Sequence, residues 1–188
     1  MKRFFDFVFS LIALLLLSPL YAAIAVAILV SDGKPIVFKQ DRVGKDNKLF
    51  KVRKFRTMKN GTRNVAKKDL SEYDSCVTKF GRFLRKTSLD ELPQLLNIIE
   101  GTMSFIGPRP LIPEEDKIRE LRAQYGVYSV LPGVTGWAQV MGRDLISDEE
   151  KAAFDKEYVE RRSLLFDIKI AFKTVAVVLT GKNMANTD

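Results

Sequence analysis

Residues Phe7 to Val30 run for 24 positions without a formal charge. As one straight helix they would rise about 36 Å, against a bilayer hydrocarbon core of about 30 Å. So long an apolar stretch must be packed in a core or placed in lipid, and three arrangements fit it. A cleaved signal peptide would use Met1-Lys2-Arg3 and the small residues Ala22, Ala23 and Ala25, although its apolar part would be long and Asp6 stands at its edge. A spanning helix is the generic arrangement. A re-entrant hairpin is the third, and Ser18-Pro19 in mid-segment motivates it. Proline removes one helical hydrogen bond and kinks the helix, and a neighbouring serine can serve the carbonyl set free. Each half is then too short to cross alone.

Flanking charge bears on the same choice. Lys2 and Arg3 precede the segment, and Lys34 to Lys59 follows it with ten Lys or Arg against Asp41 and Asp46. Basic flanks prefer the cytoplasmic side. A spanning helix must export one of them, whereas a hairpin exports neither.

The rest of the composition excludes whole chemistries. The 188 residues include no histidine and one cysteine, Cys76. There can be no Ser-His-Asp triad, no imidazole ligand, no internal disulfide and no multi-cysteine metal site. Any metal would be a hard cation on oxygen. The net charge of +8 points to anionic partners: phosphates, nucleic acid or an acidic membrane surface.

No repeat or long linker divides the chain, and the expected organisation is a membrane segment over 1–31 and one compact domain over 32–188. Pro35 to Val43 and Leu49 to Met58, separated by Gly44-Lys45-Asp46-Asn47, predict a β-hairpin. Lys59 to Ser75 reads as a mobile loop. Thr78 to Lys86 is a short basic amphipathic helix with Phe80, Phe83 and Leu84 on one side. Ser88 with Glu91 resembles a capping box opening a helix with Leu89, Leu92, Leu95, Leu96 and Ile99 at helical spacing, although Pro93 moves the start toward Asp90; Gly101 ends it. Asp116 to Tyr125 predicts a further helix. Pro132 to Gly142 predicts an irregular loop. Ser147 with Glu150 is a second capping box, opening a helix with Phe154, Tyr158 and Val159. Leu165, Ile168, Phe172, Val175 and Leu179 form a helical stripe with Gly181 as its stop, suited either to a lipid surface or to a core.

Four constellations could carry chemistry. Asp90-Glu91 at a helix start can be a plain cap. It can equally supply a nucleophilic carboxylate, since histidine is absent and Arg82, Arg85 and Lys86 precede it closely. Such cations lower a carboxylate pKa and bind phosphate. Gly107-Pro108-Arg109-Pro110 pins one guanidinium between prolines, for an ion pair or for bidentate phosphate recognition. In Pro132 to Gly142, the amides of Gly133 and Gly136 could cradle a phosphate. Trp137 there is core, a stacking ring or an interface anchor, and Arg143 is a further phosphate candidate. Phe50 to Lys59 interleaves bases with aromatics, which suits single-stranded nucleic acid, anionic headgroups or a solvated strand face.

Four stretches stand in an order that matches a known family: Lys54 to Met58, Ser88 to Leu95 with Asn97, Met103 to Pro110, and Pro132 to Val140. The chain resembles the bacterial sugar transferases, the small monotopic phosphoglycosyl transferases of the bacillosaminyl-phosphate transferase type. The resemblance implies an α+β, mostly helical fold. Its expected parts are a re-entrant helix-break-helix turning at Ser18-Pro19, a small β-hairpin, and amphipathic interfacial helices around one catalytic domain. It implies transfer of a sugar 1-phosphate from a UDP-sugar to polyprenyl phosphate, releasing UMP, with Mg²⁺ required. Asp90 falls on the family's nucleophile, which forms a sugar-phosphoryl aspartate, and Glu91 on its acidic partner; the two are also the expected metal ligands. Arg85, Arg109, Arg143, Lys54, Arg56 and Gln139 are the expected substrate-binding residues. The implied setting is the cytoplasmic face of a bacterial inner membrane, with membrane lipid as a partner, no nucleic acid, and a homodimer left open. The sequence departs from the family at Met141, where Asn is common, and at Thr102, where an acid is common. The chain also lacks the additional N-terminal membrane helices of larger relatives and is expected to be the minimal catalytic form.

Overall fold

The structure is a computed structural model that describes residues 2–62, 75–142 and 145–180. The apolar segment is two helices, α1 (Lys2–Leu16) and α2 (Ser18–Asp32), bent by 63° at Leu17. Pro19 lies in the first turn of α2, where a missing N–H costs nothing. The Leu15 carbonyl, which a residue other than proline at position 19 would have served, accepts a 2.8 Å bond from Ser18 Oγ. At 15 residues each, the halves are about 22 Å long. No single helix among the described residues is long and apolar enough to cross a membrane.

Both ends of this segment are fastened to the rest of the protein. Lys2 Nζ pairs with Asp167 Oδ2 at 2.6 Å. Arg3 donates to the Ile98 carbonyl and, at 2.8 Å, to that of Ile99. At the far end, Ile24 and Ile28 pack with Phe55 and Leu84. The buried Arg56 guanidinium donates to the Asp32 and Gly33 carbonyls at 2.6 and 2.7 Å.

The expected hairpin forms as β1 (Val37–Val43) and β2 (Leu49–Phe55), antiparallel with Val43 opposite Leu49. Next comes α3 (Lys79–Lys86), whose N-cap Thr78 accepts from the Gly81 amide at 2.9 Å. The Ser88 capping box does not form. Ser88 adopts φ +56°, Leu89–Glu91 make a separate 3₁₀ turn, and α4 (Gln94–Glu100) starts only after Pro93. A helix begun at Ser88 would need a Pro93 N–H for the Leu89 carbonyl, which proline lacks, so the dyad is displaced from the helix it precedes. Gly101, at φ +90°, ends α4. β3 (Ser104–Ile106) pairs in parallel with β4 (Gly133–Thr135), and α5 (Asp116–Gln124) lies in the crossover between them.

Pro132 to Gly142 is ordered, contrary to the loop expectation: β4 is followed directly by α6 (Trp137–Met141). The three glycines allow this, because a Cβ on Gly133 would lie 2.1 Å from the Gly107 amide nitrogen. α7 (Asp148–Arg161) carries the expected capping box at Ser147 and Glu150. In α8 (Leu164–Thr180), Phe166 and Ile170 join Trp137, Tyr158 and Ile106 in the core. The stripe of Leu165, Ile168, Phe172, Val175 and Leu179 faces outward, with Leu165 and Leu179 each 80% exposed. It is therefore not a core-packing face. The expected loop falls partly, and the Gly181 stop wholly, outside the described residues.

Asn97, 1% exposed, joins α4 to β2. Its side chain accepts from the Arg53 amide at 3.0 Å and donates to the Lys51 carbonyl at 2.8 Å and to Thr102 Oγ1 at 3.2 Å. Removing it would leave two part-buried backbone groups without this partner, and Asn97→Ala is expected to cost about 1–3 kcal/mol of stability, measured by denaturation in detergent.

Candidate active site

A cleft open to solvent lies between β2, the 3₁₀ turn and the proline-flanked arginine. Its lining includes Arg42, Lys54, Glu91, Gln94, Arg109 and Val134. Asp90 lies beside it and is 8% exposed. Lys54 Nζ pairs with Glu91 Oε1 at 2.5 Å.

Arg85 reaches the site because Gly81 lets α3 lie directly on Thr57; a Cβ there would sit 2.1 Å from the Thr57 carbonyl oxygen. Arg85 Nε then donates to Thr57 Oγ1 at 2.9 Å. Lys54 and Arg85 both act on Asp90, while Arg82 and Lys86 lie exposed on α3. The expected lowering of the Asp90 pKa is not found. Burial holds its carboxyl above the usual aspartate range, and this outweighs Lys54 and Arg85, while Glu91 adds to the rise. The desolvated carboxylate is thus more basic than one in water.

Arg109 is carried by a braced segment. Its carbonyl accepts from Arg122 at 2.7 Å, and Arg122 pairs with Asp155 at 2.5 Å, both charges being fully buried between α5 and α7. The Gly133 amide, expected to be free for phosphate, donates to the Pro108 carbonyl at 2.9 Å. It holds the Arg109 turn instead.

Two further expected residues are committed elsewhere. Arg56 closes the end of α2, as described above. Gln139 donates to the Val134 carbonyl at 3.1 Å and so braces β4 behind the cleft. Arg143 lies outside the described residues. Trp137 is core, 6% exposed, with its Nε1 donating to Glu157 at 2.7 Å. Lys169 and Lys173 stand over its ring at 5.5 and 5.3 Å. In the basic-aromatic run Phe55 is buried and Phe50 half-buried, so the run presents no stacking platform. Thr102 accepts from and donates to Asn97 at the end of α4, while Met141 Sδ lies 3.9 Å from Lys173 Nζ.

Sequence reasoning missed Arg42 and Gln94 as members of the cleft. Arg42 was one of ten bases in its stretch and carried no motif. Burial, and then the nearby Arg109, bring its guanidinium down to about 10, and it remains charged at neutral pH.

The cleft gathers three cations beside a desolvated acidic dyad, which is the equipment of an enzyme that handles phosphate groups. Residues 1–181 match the family described as bacterial sugar transferase, and the chain belongs to that family. It is 43% identical over 182 residues to the UDP-glucose:undecaprenyl-phosphate glucose-1-phosphate transferase of Escherichia coli (strain K12), covering 93% of this chain and 39% of the relative. It is 41% identical to the exopolysaccharide production protein ExoY of Sinorhizobium fredii, covering 96% of this chain and 86% of that one. With the undecaprenyl-phosphate galactose phosphotransferase of Salmonella typhimurium it shares 38% identity over 95% of its length and 40% of the relative. The chain thus spans about two fifths of the first and third relatives and most of ExoY.

The raised Asp90 pKa has a stability consequence. The native state holds this proton more tightly than the unfolded chain, so Asp90 costs stability as pH rises from the ordinary value of 3.8 through its higher folded value. Below 3.8 the cost is absent. Asp90→Asn is therefore expected to be more stable than the wild type at pH 7, with the difference closing in acid, as thermal melts across pH would measure.

Proposed function

We propose that this chain transfers a sugar 1-phosphate from a UDP-sugar to polyprenyl phosphate, giving polyprenyl diphosphate-sugar and UMP, in the assembly of a surface polysaccharide or glycoprotein glycan. The observation that carries the reading is Asp90, desolvated between Lys54 and Arg85 and beside a cleft holding Arg42 and Arg109. The activities for which the relatives are named support it.

In the proposed reaction an Asp90 carboxylate oxygen attacks the β-phosphorus of the donor. The bond from that phosphorus to the bridging oxygen breaks, and UMP leaves with the oxygen and the bonding pair. A phosphate oxygen of the polyprenyl acceptor then attacks the same phosphorus and frees the carboxylate. Phosphoryl transfer of this kind depends chiefly on positioning and on charge stabilisation. Lys54 and Arg85 hold the transferred phosphate against the nucleophile. Burial of Asp90 keeps its carboxylate basic and poorly solvated, which favours attack.

Asp90 and Glu91 are adjacent hard-oxygen donors. Among the described residues no third acid, histidine or cysteine joins them. The pair therefore fits Mg²⁺ whose coordination is completed by substrate phosphates and water. When bound, Mg²⁺ would offset phosphate charge.

We further propose that 1–31 is a re-entrant hairpin in the inner membrane and 32–188 a catalytic domain on its cytoplasmic face. Several features support this: the bend at Leu17, the docking of both segment ends on one domain, and the outward apolar side chains of α1, α2 and α8.

Asp90→Asn is expected to abolish UMP release from a UDP-sugar panel and to prevent trapping of radiolabelled sugar phosphate on the protein. Continued release at near wild-type rate would sink the covalent mechanism. Tags on the two termini are expected to label only from the cytoplasmic side. Labelling of the N-terminus from outside would establish a spanning helix.

A further inference from the structure

Arg42 stands out among the bases of its stretch. Lys51 pairs with Asp41, Arg53 with Glu100 and Lys54 with Glu91. Arg42 is half-buried, and its hydrogen-bond partners among the described residues are neutral: Nη2 donates to Gln40 Oε1 at 2.7 Å and Nη1 to the Pro110 carbonyl at 3.3 Å. No carboxylate among the described residues forms an ion pair with it. Instead a second guanidinium, that of Arg109, lies close enough to repel it. Two like charges lining one cleft repel each other in the empty protein. The arrangement becomes favourable once an anion enters, and two planar forks suit the several oxygens of a phosphate.

The order of groups along the cleft indicates which phosphate. Arg42 and Arg109 line the cleft together with Lys54 and Glu91, whereas Asp90 and Arg85 are not part of that lining. The arginine pair therefore stands in the cleft itself, apart from the nucleophile at its side. The attacked phosphorus must be next to Asp90, so the arginines meet the other phosphate.

Resting on the function proposed above, we infer that Arg42 is a substrate-contacting residue: with Arg109 it forms a paired-guanidinium seat for the phosphate of the departing nucleotide. The seat holds the half of the donor that is not transferred and takes up the charge that develops on it as the bridging bond breaks.

UMP carries only that phosphate, so UMP itself is the probe. Its binding is followed by calorimetry and by inhibition of turnover, using the full chain in a membrane mimic. Arg42→Gln is expected to weaken UMP binding roughly ten- to hundredfold, as loss of a charge-assisted contact does. The KM for UDP-sugar should rise with it and that for polyprenyl phosphate should not. The bond from the Val43 amide to the Leu111 carbonyl, 2.8 Å, holds β1 in place independently of Arg42, and an unchanged melting temperature checks this. Should Arg42→Gln fail to fold, Arg42→Lys keeps the charge without the fork and is expected to weaken UMP to a smaller degree. Arg109→Gln removes the other half of the seat, and the double variant should lose less than the two single losses combined.

UMP affinity unchanged in a folded Arg42 variant, or a rise in the acceptor KM alone, overturns the assignment. A wild type that binds UMP through Arg42 but turns over no UDP-sugar refutes the proposed function and leaves the seat standing. A wild type that does not bind UMP refutes both.

Discussion

The fold depends on one constraint: an apolar segment of about 30 residues is fastened to a single domain at both of its ends. Lys2 and Arg3 hold the start, through Asp167 and the last carbonyls of α4. Arg56 holds the finish, through the carbonyls of Asp32 and Gly33. Cations at helix C-termini satisfy carbonyls that have no partner in the helix and complement its dipole. The two clamps use the same device on different helices. A straight segment could not reach both, so the turn at Leu17 follows, and Ser18 supplies the bond that Pro19 cannot.

The site depends on a different balance. Its cations are positioned through backbone and neutral side-chain groups. Thr57 orients Arg85, Pro110 and Gln40 orient Arg42, and the buried Arg122–Asp155 pair holds the backbone of Arg109. Lys54 is tied to an acid, and that acid is one of the dyad. A buried ion pair such as Arg122–Asp155 adds little net stability, but it fixes one geometry. Here that geometry is the placement of a proline-flanked arginine at the cleft.

Local signals were legible where local chemistry decides. Ser147 and Glu150 cap α7 as their spacing indicates, and the Val- and Phe-rich runs about Gly44 form the hairpin. The same capping pattern misled at Ser88, because Pro93 cannot give the Leu89 carbonyl its helical bond and moved the helix start past the dyad. Pro132 to Gly142 reads as a loop because its glycines are turn formers by local rules. Gly133 and Gly136 instead let their backbone lie against that of Gly107, which requires the partner strand to be known. The site was half legible. Glu91, Lys54 and Arg109 line one cleft with Asp90 beside it, whereas Arg56 is turned to the carbonyls that end α2 and Arg42, which carried no motif, lines the cleft. Each is one base in a basic stretch, and only the register of the hairpin decides which faces the cleft and which the carbonyls of α2.

That register also joins the two halves of the protein. Val52 packs in the cluster that receives Ala13 and Leu14 of α1, Phe55 packs on Ile24 and Ile28 of α2, and Lys54 between them reaches Glu91. One strand thus touches both arms of the apolar segment and the dyad. α4 repeats the connection: Arg3 clamps its C-terminal end, and the turn that carries Asp90 leads into its N-terminal end. At seven residues α4 is only about 10 Å long. Under the proposed function the acceptor arrives from lipid and the donor from water, and their phosphates must meet at Asp90 within hydrogen-bonding distance of the same cations. A segment anchored on a strand and a helix that both carry the site sets the height of Asp90 relative to the bilayer with little freedom. The hairpin in this reading is a positioning element of the active site as well as a membrane anchor.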